Sequence, residues 1–119
     1  TGGTTAKRWG RVGDSPIIGA GTYANNDSCG VSATGTGEYF IRLTVAARIC
    51  ALVELQGLSL QDAADQVIQD ELTAMQGDGG IVALTADGDI AWSFNTPGMY
   101  RARQSEGGTP VVAIYGDED

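Results

Sequence analysis

The chain has 119 residues, of which 42% are hydrophobic, enough for one small domain with a core and too apolar for a disordered tail. Fifteen acidic against seven basic residues give a formal charge of −8, which argues against a nucleic-acid partner and against anionic membrane surfaces. No apolar run approaches the roughly 18 residues of a membrane-spanning helix.

Two further counts narrow the chemistry. There is no histidine, so a Ser-His-Asp triad, a Cys-His pair or a His-ligated zinc site cannot be built from this chain alone. Any acyl transfer would need another base, such as an N-terminal amine. Cys29 and Cys50 lack metal-like spacing and read as buried free thiols in a reducing cytosol, with a disulfide as the alternative. No metal or other cofactor is expected, and the location expected is cytoplasmic.

In chain order, residues 1–27 are rich in Gly, Thr, Asn and Asp and read as structured loop, with short extended pieces around Ile17–Ile18. "SCGVSAT" (28–34) reads as a strand of small residues. "GTGE" then introduces a helix from Glu38 to Leu55, with Phe40, Ile41, Thr44, Ala47, Ala51, Leu52 and Leu55 along a wide apolar stripe. Gly57 is its stop. Ser59 and Asp62 form a capping-box pattern, and a second helix runs to about Met75 with Ala63, Ala64, Val67, Ile68 and Leu72 inward.

After "QGDGG" the period changes to that of strands. Asp87-Gly88 lies between two β-rich runs, a strong hairpin signal. "GMYRARQ" and "PVVAIYG" supply two further extended pieces. Helices grouped together and strands grouped together make an α+β fold, a single domain over residues 1–119. The helix pair can cover one sheet face. The other face needs a partner chain or a further segment.

Three glycine-rich stretches can carry chemistry. "TGG" (1–3) places a threonine at the first position, where a hydroxyl nucleophile can be served by its own α-amine, of pKa about 7.7–8.0. "GRVGDSP" sets Arg11 three residues before Asp14. The arginine could hold a carboxylate with a forked pair of hydrogen bonds and the aspartate an ammonium, which together suit the zwitterionic end of an α-amino acid. A plain Arg–Asp ion pair on a loop is the competing reading. "ATGTGE" (33–38) lies between a strand and a helix start, where amides and glycines can approach an anion. A structural turn accounts for it equally well.

Taken in order, "TGG", "GRVGDSPIIGAGTYANN", "TGTGE", "GGIVAL" and "FNTPGMYRA" resemble the plant-type L-asparaginases and isoaspartyl peptidases, which are N-terminal-nucleophile hydrolases. The resemblance covers nearly the whole chain. Glycosylasparaginases share GRVGDSP but are less similar at TGTGE and NTPGMYRA.

The resemblance implies a precursor that cuts itself into an α and a β chain, this sequence being most of the β chain. It implies a four-layer αββα sandwich completed by the α chain, an (αβ)2 dimer, and hydrolysis of the side-chain amide of L-asparagine or of β-aspartyl dipeptides. By the same resemblance Arg11 clamps the substrate α-carboxylate, Asp14 holds its α-amine, and the Gly37 backbone positions that end. The Thr34 hydroxyl and the Gly35 amide form the oxyanion hole. Tyr100 and Arg101 are given packing roles.

One feature departs from the family. Its nucleophilic threonine leads straight into a core strand, whereas Thr1 opens a polar, glycine-rich loop. Thr1 matches a second threonine that supports the nucleophile, so it is read as a supporting catalytic residue rather than the nucleophile, which is expected in a preceding segment. A fragment without that segment could instead be an inactive amino-acid-binding or structural protein, which sets the alternative to the enzyme.

Overall fold

The computed structural model describes residues 3–118 of the chain. Thr1 therefore lies outside the described residues. The sequence forms a four-stranded antiparallel sheet backed on one face by helices, with a separate two-stranded sheet at one end. This is a mixed α/β domain.

The sheet runs in the order β1 (Thr22–Ala24), β2 (Gly30–Gly35), β3 (Gly79–Leu84) and β4 (Ile90–Phe94). Register fixes its two faces. Val31 pairs with Ala83 and Ala33 with Ile81, and these point with Ala91 and Ser93 into the helices. Ser32 pairs with Val82 and Thr34 with Gly80 on the opposite face, where Val82 and Leu84 are exposed. The β3–β4 turn contains Asp87 and Gly88, and Gly88 takes φ +92°, so the hairpin signal is borne out. β1 is one element hidden by composition: its three residues lie in a polar, Asn-rich stretch that reads as loop.

The single long helix expected over 38–55 is two. α1 (Gly37–Leu43) ends and α2 (Val45–Gln56) begins at Thr44, which adopts the left-handed conformation (φ 50°, ψ 51°). The preceding loop supplies the reason. The N–H groups of Ala46 and Ala47, which have no partner within a helix's first turn, donate to the carbonyls of Ala20 (3.1 Å) and Gly19 (2.9 Å). The break also resets the helical phase. Phe40 and Leu52 of the expected stripe are buried, but Leu55 is 80% exposed and Ile41 38%. Val45, Ala46, Ile49 and Cys50 take the inward positions instead.

Gly57 ends α2 in the left-handed conformation. Ser59 then caps α3 (Leu60–Asp65), its hydroxyl accepting from the Asp62 N–H at 3.1 Å. The helix continues through π-helical turns over Gln66–Leu72. Ala63, Ala64, Val67, Ile68 and Leu72 all face the core, as their spacing predicts. The free edge of β4 is covered by glutamines from this helix. Gln61 donates to the Trp92 carbonyl (2.9 Å), and Gln69 to the Phe94 carbonyl (2.9 Å) and the Ser93 hydroxyl (3.0 Å).

β5 (Gly98–Arg103) and β6 (Val111–Tyr115) form the second sheet. Arg101 joins it to the first. Its buried guanidinium lies 4.8 Å from the ring centres of both Trp92 and Phe94 and donates to the carbonyls of Met99, Tyr115 and Glu118. Tyr100, also given a packing role, is instead 86% exposed.

Cys29 and Cys50 are joined in a disulfide between the entry to β2 and the middle of α2, and no free cysteine remains. This corrects the reading of two free thiols. It also removes the ground on which a reducing, cytosolic location was inferred, because such bonds persist in oxidising compartments. Among the described residues no helix is long and apolar enough to cross a membrane.

Candidate active site

Strand β2 ends at Gly35 and α1 begins at Gly37, so Thr34, Gly35 and Thr36 form a strand-to-helix corner. The corner opens onto a cavity of about 660 Å³ lined by Thr34, Gly35 and Thr36, by Thr4, Thr5 and Arg11 of the N-terminal loop, and by Asp78 and Thr96. A neighbouring hollow of about 460 Å³ extends from Thr34 and Gly35 towards Met99 and Tyr100. Arg11 and Thr34 are 23 positions apart in sequence, and folding brings them to one cavity.

Arg11 keeps its guanidinium at the cavity wall. Its Nη2 lies 3.9 Å from Glu38 Oε1, an ion pair with an exposed carboxylate of α1. This ion pair ties the N-terminal loop to the start of α1. A pair this long and wet is weak, and a substrate carboxylate can compete for the guanidinium.

Asp14 is wholly buried, in contact with Gly37 at the first turn of α1, and neither residue lines the cavity that Arg11 and Thr34 share. A Cβ at position 37 would lie 2.7 Å from Asp14 Oδ1 and 2.9 Å from the Asp14 N atom. Only glycine lets the aspartate backbone and carboxylate lie against the helix start. The adjacency of Asp14 and Gly37, invisible in the linear sequence, is therefore built into the packing.

The corner rests on the segment Gly77–Gly79. Gly35 and Gly79 face each other in the β2–β3 ladder, with φ of +138° and +150°. A Cβ on Gly79 would overlap the Thr34 carbonyl, and one on Gly35 would sit 2.5 Å from the Asp78 carbonyl oxygen. Thr36 donates from its N–H to the Asp78 carbonyl and from its hydroxyl to Asp78 Oδ1, both at 3.1 Å. Sequence reasoning did not select Asp78, Asn95 or Thr96. The stretches "QGDGG" and "FNTPGMYRA" contain them, but no spacing rule links those stretches to β2 before the hairpin is folded.

The cavity thus gathers a guanidinium, several threonines and a glycine-rich backbone in one small volume. Such a set can receive a carboxylate and stabilise an oxyanion. Together these groups make a polar cavity of small-molecule size at a strand-to-helix corner. The asparaginase family's sequence profile matches residues 1–114, and the chain belongs to that family. It is 54% identical to the isoaspartyl peptidase of Salmonella typhimurium, over 97% of this chain and 37% of that protein. It is 53% identical to the isoaspartyl peptidase of Escherichia coli, over 97% and 36% of the two chains. It is 42% identical to the plant-type L-asparaginase of Pyrococcus furiosus, over 90% and 35%. The chain thus spans little more than a third of the length of these curated relatives.

Proposed function

We propose that the protein carrying this chain hydrolyses the side-chain amide of L-asparagine and the isopeptide bond of β-aspartyl dipeptides. Residues 1–119 act as one domain and as most of a β subunit. An α chain from the same precursor covers the exposed sheet face to complete a four-layer αββα sandwich, and two αβ units pair. The relatives' greater length supports room for such a chain. The exposed Val82 and Leu84 support a covering layer.

Substrate binds through its zwitterionic end. Arg11 holds the α-carboxylate, and Asp14 the α-ammonium beside the Gly37 backbone. A β-chain threonine hydroxyl attacks the side-chain carbonyl carbon while its α-amine takes the proton. The negative charge that collects on the carbonyl oxygen is met by the Thr34 hydroxyl and the Gly35 N–H. Collapse breaks the C–N bond and releases ammonia, or the amine of the second amino acid, with the proton returned by the α-amine. Water then hydrolyses the ester and restores the threonine. Thr1 takes the supporting place beside the nucleophile.

The observation that carries this reading is the convergence of Arg11, Thr34 and Gly35 on one cavity, with Asp14 held against Gly37 behind it. The test is ammonia release from L-asparagine and aspartate release from a β-aspartyl dipeptide by the complete, cleaved protein. Absence of both releases overturns the proposal, and calorimetric binding of aspartate without turnover would favour a binding protein instead.

A further inference from the structure

We infer that Asn95 is a positioning residue for the oxyanion site: its carboxamide fixes the Gly77–Gly79 floor on which Thr34, Gly35 and Thr36 rest. The inference depends on the assignment of Thr34 and Gly35 as oxyanion donors.

Asn95 follows the last residue of β4, and its side chain is part-buried. Its Nδ2 donates to the Gly77 carbonyl and to the Thr73 hydroxyl, both at 2.9 Å. Its Oδ1 accepts from the Gly79 N–H at 2.9 Å, and its own N–H donates to the Gly79 carbonyl at 3.1 Å. The partners fix the amide's orientation. The Gly79 N–H can only donate and the Gly77 carbonyl can only accept, so oxygen and nitrogen cannot exchange places. Both Nδ2 hydrogens are used. Thr73 itself donates to the Ile68 carbonyl at 3.1 Å, which anchors the amide to the buried π-helical turn.

A glycine-rich segment has little rigidity of its own. Residues 77–79 contain two glycines, and three bonds with Asn95 hold them against the end of β4, while a fourth ties Asn95 to Thr73. The upper side of the same segment carries the site: the Asp78 carbonyl and carboxylate accept from Thr36, and Gly79 lies backbone to backbone against Gly35 and the Thr34 carbonyl. Neither glycine has a side chain to hold the two backbones apart, so a displacement of Gly79 passes directly to the Gly35 amide and the Thr34 backbone. Oxyanion donors act by being fixed before charge develops, and small displacements weaken them. Arg11 and Asp14 lie on another loop, so their hold on the substrate should persist.

The test uses the complete protein with L-asparagine and compares Asn95→Ala, Asn95→Asp, Thr34→Ala and the Asn95→Asp/Thr34→Ala double variant. Asn95→Asp keeps the shape and the acceptor but loses the donation to Gly77. We expect kcat to fall about 10–100-fold in either Asn95 variant with KM within about threefold, and the double variant to be scarcely slower than Thr34→Ala alone, because both act through the same donors. An unchanged kcat, a change confined to KM, fully multiplicative losses in the double variant, or failure of Asn95→Asp to fold would each overturn the positioning role while leaving the oxyanion assignment standing. An unchanged kcat in Thr34→Ala would overturn both.

Discussion

At the residue scale the proposed reaction divides labour between ground-state and transition-state contacts. In it Arg11 would meet a carboxylate that is present throughout, whereas Thr34 would meet charge that exists only during acyl transfer. Arg11→Ala should therefore raise KM by about 10–100-fold, the worth of charged hydrogen bonds, and Thr34→Ala should lower kcat by about 10²–10³-fold. Steady-state kinetics on the complete protein separates the two. Gly37→Ala probes the same site through packing. Its methyl group would meet Asp14 Oδ1 at 2.7 Å, and because Asp14 is wholly buried neither group can swing into solvent. Overpacking of this kind costs about 1–3 kcal/mol. A lowered melting temperature together with a raised KM is the expected result.

At the scale of elements, the two helical regions differ in how far sequence pattern governs them. The α3 region keeps its expected inward face through the π-helical turns, where Gln66 reaches Glu71, five residues on, at 3.2 Å. Glu71 is also held by Arg48 of α2 through two bonds of 2.8 Å. The hydrogen bond from Arg48 is the main cause that lowers the Glu71 carboxyl below its ordinary 4.5. A depressed folded pKa makes this pair's stabilisation complete above the unfolded value and lost as pH falls through the folded one. The pair is partly exposed, so about 0–1 kcal/mol is at stake. Glu71→Gln should lower the melting temperature slightly at neutral pH and leave it unchanged at acid pH where the carboxyl is protonated. Thermal melts from pH 7 down to 3 would check this.

At the scale of the whole molecule, the disulfide ties the sheet to the helical layer. It links Cys29 and Cys50 across a sequence separation of 21. The chain-entropy argument gives about 3 kcal/mol for a loop of this size. Cys50→Ala, or treatment of the intact protein with a reductant, should lower stability by about 2–3 kcal/mol, read from denaturant melts. An unchanged midpoint on reduction would remove the staple from the account. Because the bond lies on the core side of the sheet, away from the cavity at Thr34, the expected effect is on stability rather than on kcat at moderate temperature.

The sequence by itself determined the α+β order, the Gly57 stop, the Ser59 cap, the Asp87-Gly88 hairpin and the buried face of α3, because each depends on neighbours within a few positions. It also singled out Arg11, Asp14, Thr34, Gly35 and Gly37 through short motifs. Only the tertiary structure decided the break at Thr44, where carbonyls of Gly19 and Ala20 satisfy amides some 27 residues later. It likewise decided the cysteine pairing, the exposure of Tyr100, and the floor formed by Gly77–Gly79 and Asn95. For the hydrogen-bonded features, the Thr44 break and the Asn95 floor, the physical reason is the same. Backbone amides and side-chain donors must find partners once buried, and which partner lies within 3 Å is set by packing of distant segments, a quantity that local periodicity does not encode.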